Sequence, residues 1–274
     1  MRALLFLLPL AALAADRAAP PPPPPFVVRV LALGHEPERR FFLRADGFFD
    51  MHELDPRELP PSALFLRSPA APPVPGVRQP ERTRLAVVLN SVTETQLTLS
   101  LDAQPLVLER AVAVPAAEGK PAETRYEAVG EVNRPPGGGS ALVILYNPLG
   151  RRTWEGVKPS VIDTSPSRVP AGSLLLMNLC AEPLDASVGG RVGQLGGGQS
   201  TLIPVGVPGG SPLELRLALR RGAEPTQLFD SAREMPASRR ALLVIHPVSP
   251  GRNARGVDFL LLPLSADPDP APAR

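Results

Sequence analysis

Disulfide chemistry is the first thing the chain lacks. Its 274 residues hold one cysteine, Cys180, so no bridge can form within it and packing alone must hold the fold. Cys180 follows the apolar run Leu174-Leu175-Leu176-Met177-Asn178-Leu179, where a lone thiol is expected to pack as a small hydrophobe. The other reading is a bridge between two chains. Aromatic residues make up only 4% of the sequence, with Trp154 the one tryptophan and Tyr126 and Tyr146 the two tyrosines. Lysine is limited to Lys120 and Lys158; arginine supplies the other basic groups, and the net charge is only +2. No basic cluster with interleaved aromatics exists, so nucleic acid binding has no support. No stretch beyond the N-terminus is long and apolar enough to cross a bilayer as a helix. A sustained 3.6-residue period is also missing, as are long βαβ units, which excludes bundles and α/β folds.

Catalytic signatures are absent in turn. The histidines are His35, His52 and His246, without a close pair or a His-Glu-x-x-His motif. Asp50 and His52 lie two apart on an expected strand and share a face, yet no third metal ligand is named by the sequence. Gly-x-Ser-x-Gly does not occur. Gly190, Gly193 and Gly196 imitate a nucleotide loop, but a strand-like segment follows them where a phosphate site needs a helix. Lys120 precedes Pro121, so there is no P-loop. Asp50, Glu53, Asp55 and Glu58 cluster in sequence, as residues of a solvated loop do; a glycosidase needs two carboxylates across a cleft. No catalytic residue, metal or cofactor is expected.

What is present begins at the N-terminus. Arg2, the apolar run of residues 3–13 and the small-x-small site Ala12-Leu13-Ala14 have the three-part layout of a secretory signal, with cleavage expected after Ala14. An uncleaved anchor is the competing reading, disfavoured by the short run and by Pro9. The mature chain is therefore expected in a periplasmic or extracellular space. Proline is abundant, at 37 residues, and glycine adds 23. Residues 15–25 read as a Pro-rich spacer, because six consecutive prolines form a stiff polyproline II rod. Elsewhere the prolines and glycines punctuate short runs with β character.

Those runs give the fold class: all-β, as tandem immunoglobulin-like β-sandwich modules with Pro/Gly-rich loops. Phe26–Leu33 is an expected strand. Arg40–Arg44 and Phe48–His52 flank Ala45-Asp46-Gly47 as a hairpin whose Asp-Gly is expected to supply positive φ angles, with one phenylalanine pair expected in the core and the other left for a second sheet, domain or subunit. Ala63–Leu66, Leu85–Asn90, the alternating Leu97, Leu99 and Leu101, and Leu106–Leu108 follow. Residues 126–132 fit a strand or a short helix. Further strands are expected at 141–146, 173–177, 186–188, 201–205, 213–219, 241–245 and 259–262. The alternation Leu213, Leu215, Leu217, Leu219 against Glu214 and Arg216 is the cleanest in the chain. The expected organisation is a signal at 1–14, a spacer at 15–25, a first module at 26–115, a linker at 116–139, a second module at 140–264 and a tail at 265–274.

An internal repeat is suggested by Val87-Val88-Leu89-Asn90 and Leu97–Asp102 set against Leu175-Leu176-Met177-Asn178 and Leu184–Gly189, which pairs Asn90 with Asn178. The stretch Val169–Val205 holds Pro170-Ala171-Gly172, Leu174–Asn178, Val188-Gly189-Gly190-Arg191 and Gly198-Gln199-Ser200. It resembles the repeating β-sandwich modules of uncharacterised exported bacterial proteins. The resemblance implies a fold and no activity. The function expected is a non-catalytic structural or protein-interaction module of the cell envelope, with an unknown protein or envelope partner and with oligomerisation open. The alternative is glycan or small-ligand binding by Trp154 with Arg151 and Arg152, on a loop between strands; a ring folded over the edge of a small core is the other reading of Trp154. An exported hydrolase is the third reading.

Overall fold

The computed structural model describes residues 26–34, 41–51, 55–67, 82–97, 105–114, 123–133, 139–148, 150–205, 212–221, 224–233, 239–248 and 253–264. The leader, the polyproline spacer, His52, Leu99, Leu101 and the tail lie outside them. The described chain is all-β, with a single turn of 3-10 helix at Pro56–Glu58 and no α-helix.

The first half supplies β1 (Phe26–Gly34), β2 (Phe41–Leu43), β3 (Phe49–Met51), β4 (Ala63–Arg67), β5 (Arg82–Ala86), β6 (Val92–Leu97), β7 (Leu106–Val114), β8 (Glu123–Val132), β9 (Gly139–Asn147) and β10 (Ser160–Asp163). The second half supplies β11 (Ser173–Asn178), β12 (Leu184–Val188), β13 (Arg191–Leu195), β14 (Ser200–Pro204), β15 (Leu213–Arg221), β16 (Glu224–Arg233), β17 (Arg240–Pro247) and β18 (Val257–Leu264). Sheets β10-β9-β1-β6 and β5-β4-β7-β8 enclose one core, into which Phe26, Val28, Val143, Leu64, Leu66, Leu106 and Leu108 point. Sheets β18-β17-β11-β14 and β13-β12-β15-β16 enclose another, built from Leu174, Leu176, Leu243, Leu184, Leu215 and Leu217. A third apolar cluster joins the two sandwiches. Leu31, Leu33, Leu142 and Ile144 of β1 and β9 meet Leu175, Met177, Leu242 and Val244 of β11 and β17.

This four-layer stack explains the hydrophobic patterning. The two inner sheets are covered on both faces, so their central strands carry unbroken apolar runs. Ala141–Leu145 and Leu174–Met177 are buried at every position. Those inner strands also pair in parallel, β1 with β9 and β11 with β17. The outer sheets have one wet face and alternate. Leu213, Leu215, Leu217 and Leu219 are all buried, whereas Glu214 and Arg216 are exposed.

The expected linker at 116–139 does not hold. β8 lies within it and pairs with β7. β9, expected to open the second module, pairs with β1 and completes the first core. Sequence placed the break at the Pro/Gly run before β9, but that run only connects two strands of one sandwich. The junction is residues 164–172, and it is tied down. Ser140 Oγ donates to Thr164 O at 3.1 Å, and the buried Arg240 Nη1 donates to the same carbonyl at 3.0 Å. The Gly172 N–H donates to Arg239 O at 2.8 Å.

The strand connections of the first half recur in the second, apart from the inserted β2–β3 hairpin. Both halves place a register shift at one position of the outer sheet, at Leu108/Glu109 and at Leu217/Ala218. The residue matching Asn90 is Gly198 rather than Asn178. The Asn90 N–H donates to Ala32 O at 2.7 Å, and the Gly198 N–H donates to Asn178 O at 2.8 Å. Both residues adopt a positive φ, 57° and 71°, and asparagine tolerates that region better than most residues with a side chain. Asn178 instead ends β11, where its Nδ2 donates to Glu182 O at 2.9 Å and its Oδ1 accepts from the Cys180 N–H at 3.0 Å.

Candidate functional site

The residues expected to form a ligand platform are separated by burial. Trp154 is only 3% exposed and belongs to the first core. Its loop is drawn inward by the Trp154 N–H, which donates to Arg57 O at 2.7 Å, and Val157 is buried beside it. Trp154 therefore plugs the sandwich and presents no face to a ligand. Arg151 and Arg152 remain exposed, and the Arg151 guanidinium is spent on the Glu155 carbonyl of its own loop. Scarcity made Trp154 conspicuous in the sequence; the same scarcity makes a large ring valuable as core filling.

The outer sheet of the first sandwich carries a knot of charge. The Glu109 carboxylate accepts from Arg67 Nε at 2.6 Å and from Arg82 Nε at 2.7 Å. Arg82 also lies 4.1 Å above the Tyr126 ring, which meets Phe65 edge-on at 5.1 Å. Burial pushes the Glu109 carboxyl upward, but the hydrogen bonds and charges of the two arginines outweigh it and hold the group below its ordinary value. Such an acid stays ionised and bound, which suits a structural knot and not proton transfer. Tyr146 is pushed up to about 12, chiefly by burial and then by Cys180 and Glu182 nearby. Cys180 itself is buried. Among the described residues no three metal-ligating side chains converge, and Asp50 faces Arg44 at 4.0 Å.

The β2–β3 hairpin forms around Ala45-Asp46-Gly47 as expected, but two details differ. Gly47 alone takes a positive φ, 84°, and the Arg44 N–H donates to Phe48 O at 2.8 Å across a three-residue loop. Neither phenylalanine pair enters a core. Phe41, Leu43, Phe49 and Met51 share one face and are 62%, 63%, 74% and 49% exposed; Phe42 and Phe48 stand on the other, beside the Arg44–Asp50 pair.

The remaining feature is a mouth between the sheets of the second sandwich. Among the described residues β13 and β14 are the terminal strands of their sheets, each paired on one edge. Between them lies a groove of about 420 Å³. Leu176 and Ala186 form its apolar floor, Gly193 of β13 and Thr201 and Ile203 of β14 face it, and Arg191 and Gln199 are at its rim; Val192 and Leu202, paired with Ser187 and Leu175, lie on the opposite faces of their sheets. Val192 is 83% exposed. In the first sandwich the matching strands are stitched together, because Thr93 Oγ1 on β6 donates to Ala86 O on β5. Sequence reading missed β13 because Gly193 interrupts its pattern; the exposed Val192 between two polar turns was the available signal. No family model and no curated protein matches the chain.

Proposed function

We propose that the chain is an exported, non-catalytic protein-interaction module of the cell envelope, built as a tandem of two immunoglobulin-like sandwiches. Its partner lays an extended segment into the mouth between β13 and β14. One observation carries this reading: of two halves with the same strand connections, one closes this mouth and the other leaves it open. Two unpaired strand edges beside an exposed valine would be an aggregation hazard if nothing occupied them. An added strand satisfies the free backbone groups, and alternate side chains fill the apolar floor. Export rests on the leader at 1–14. The glycan reading through Trp154 loses its platform once the ring is buried.

The test is selection of nine-residue peptides from a displayed library against the mature chain. The expected binders have alternating apolar residues, compete with one another, and lose at least tenfold in affinity when Gly193→Glu and Thr201→Glu, which face the mouth, are combined. Binders indifferent to those substitutions would place the interaction elsewhere and overturn the reading.

A further inference from the structure

We infer that β18 pairs edge to edge with β18 of a second copy of this chain, antiparallel about a two-fold axis, so that the inner sheets of the two second sandwiches run on as one. The sequence of the edge singles it out. Among the described residues the four-stranded sheets end in β5, β6, β8, β10, β13, β14, β16 and β18. β18 holds the unbroken run Phe259-Leu260-Leu261-Leu262, whereas none of the others has more than two of Phe, Leu, Ile or Val in a row. Its counterpart in the first sandwich, β10, is four residues long and ends at Asp163. Phe259 and Leu261 are 36% and 43% exposed. A long apolar edge templates another strand unless charge, a bulge or a covering element blocks it.

The backbone is set for the same contact. Ile245, directly opposite Phe259 on β17, gives its carbonyl to the Leu179 N–H at 2.8 Å, on the β11 side. Opposed residues that do not bond each other turn their backbone groups to opposite edges, and the sense alternates along the strand. Val257, Phe259 and Leu261 therefore aim N–H and C=O at the free edge. There the Phe259 N–H donates to Asp258 Oδ1 at 2.9 Å, which holds the place of a second strand's carbonyl. Pro263 falls at the same alternation, so its missing N–H costs the ladder to β17 nothing.

A second copy answers this edge along its length. With Leu260 on the two-fold axis, Phe259 lies opposite Leu261 of the second copy, and Val257 lies opposite its Pro263. Phe259 and Leu261 then exchange both backbone bonds, once on each side of the axis. Their side chains meet on the core face, and the two Leu260 side chains meet on the other. The paired stretch spans about 24 Å, and a side-chain layer above and below the sheet makes the front about 20 Å tall. That covers roughly 1,000 Å² in total, the size at which specific interfaces begin. The contact is isologous and closes at a dimer. β14 is then outermost at both ends of the joined sheet, about 34 Å apart. If the mouth between β13 and β14 takes peptides, as proposed above, the dimer is bivalent.

The experiment is sedimentation velocity on the mature chain and on Leu261→Pro and Leu261→Lys, with circular dichroism to check their strands. The wild type is expected to pass from monomer to dimer as concentration rises, and to stop there. Leu261→Pro removes an N–H that the second copy uses and β17 does not, and should weaken the dimer at least about tenfold. Leu261→Lys sets an ammonium against Phe259 of the second copy and should do the same. Cross-linking reads the register. In a Cys180→Ala background, Leu260→Cys is expected to give a disulfide dimer under mild oxidation, because the two positions meet on the axis. Leu262→Cys, opposite Asp258 of the second copy, is expected not to. If neither Leu261 variant keeps its strands, this cross-linking pair decides alone. A monomeric wild type overturns the inference. So does a dimer that survives both Leu261 variants, or cross-linking as fast in Leu262→Cys as in Leu260→Cys. A dimer lost in Gly193→Glu with Thr201→Glu also overturns it, by placing the contact at the mouth. Peptide binding at the mouth is scored separately, so failure of the dimer leaves that reading standing.

Discussion

At the scale of single residues, two side chains report how the fold is held. Glu109 is ionised between two arginines, and its carboxyl is depressed in the folded chain. A depressed acid contributes stability that is fully present above the unfolded value of about 4.3 and is lost as pH falls through the folded value. Thermal melts between pH 7 and pH 3 are therefore expected to show a steep acid loss in wild type. Glu109→Gln should lower stability at pH 7 by about 2 kcal/mol, since two arginines lose their anion, and should flatten the acid limb. A variant whose acid limb matches wild type would show that Glu109 does not set it. Asn90 makes the second case. Its φ of 57° is the conformation that glycine adopts in the matching turn, at Gly198. Asn90→Gly should change stability by less than about 0.5 kcal/mol, whereas Asn90→Val should cost about 1–2 kcal/mol. Urea titration separates the two.

At the scale of elements, legibility followed burial. The inner strands were readable as continuous apolar runs, and β15 as perfect alternation, because in each case one environment acts on the whole strand. β6 was not: its Thr93-Glu94-Thr95-Gln96 stretch is polar, and its place in the sheet comes from pairing with β1, where Arg29 Nε donates to Glu94 Oε2 at 2.8 Å. β8 and β16 were blurred for a related reason, since each is an edge strand with a register shift that breaks the period of two. The hairpin was legible from Asp46-Gly47, but the fate of its phenylalanines was not, because a pattern marks a side chain as apolar without saying what covers it. The two cases give opposite expectations for stability. Leu217→Ala on β15 removes a fully buried side chain and should cost about 3 kcal/mol. Phe48→Ser with Phe49→Ser should leave the melting temperature of dilute protein within about 1 °C, because neither ring touches a core. A large loss in the hairpin variant would mean that the hairpin packs on the body of the protein.

At the scale of the whole molecule, the question is whether two sandwiches behave as two domains. The sequence suggested a linker, and the Pro/Gly run at 134–139 looked like one. In the structure the apolar faces of β1 and β9 lie directly on those of β11 and β17. Leu142 and Leu242 are 1% and 0% exposed within that contact, and Arg240 binds the junction carbonyls of Thr164 and Val169. An interface of this kind is more apolar than the mobile contacts usual between domains. Separating the halves would expose the second face of both inner sheets at once. Unfolding one sandwich therefore removes the cover from the other, and the two should melt together. Calorimetry on the wild type is expected to show a single transition whose van't Hoff and calorimetric enthalpies agree. Leu142→Ala with Leu242→Ala opens the shared layer without touching either inner core, so this variant is expected to split into two transitions. Two transitions already present in the wild type would mean that the halves are energetically independent.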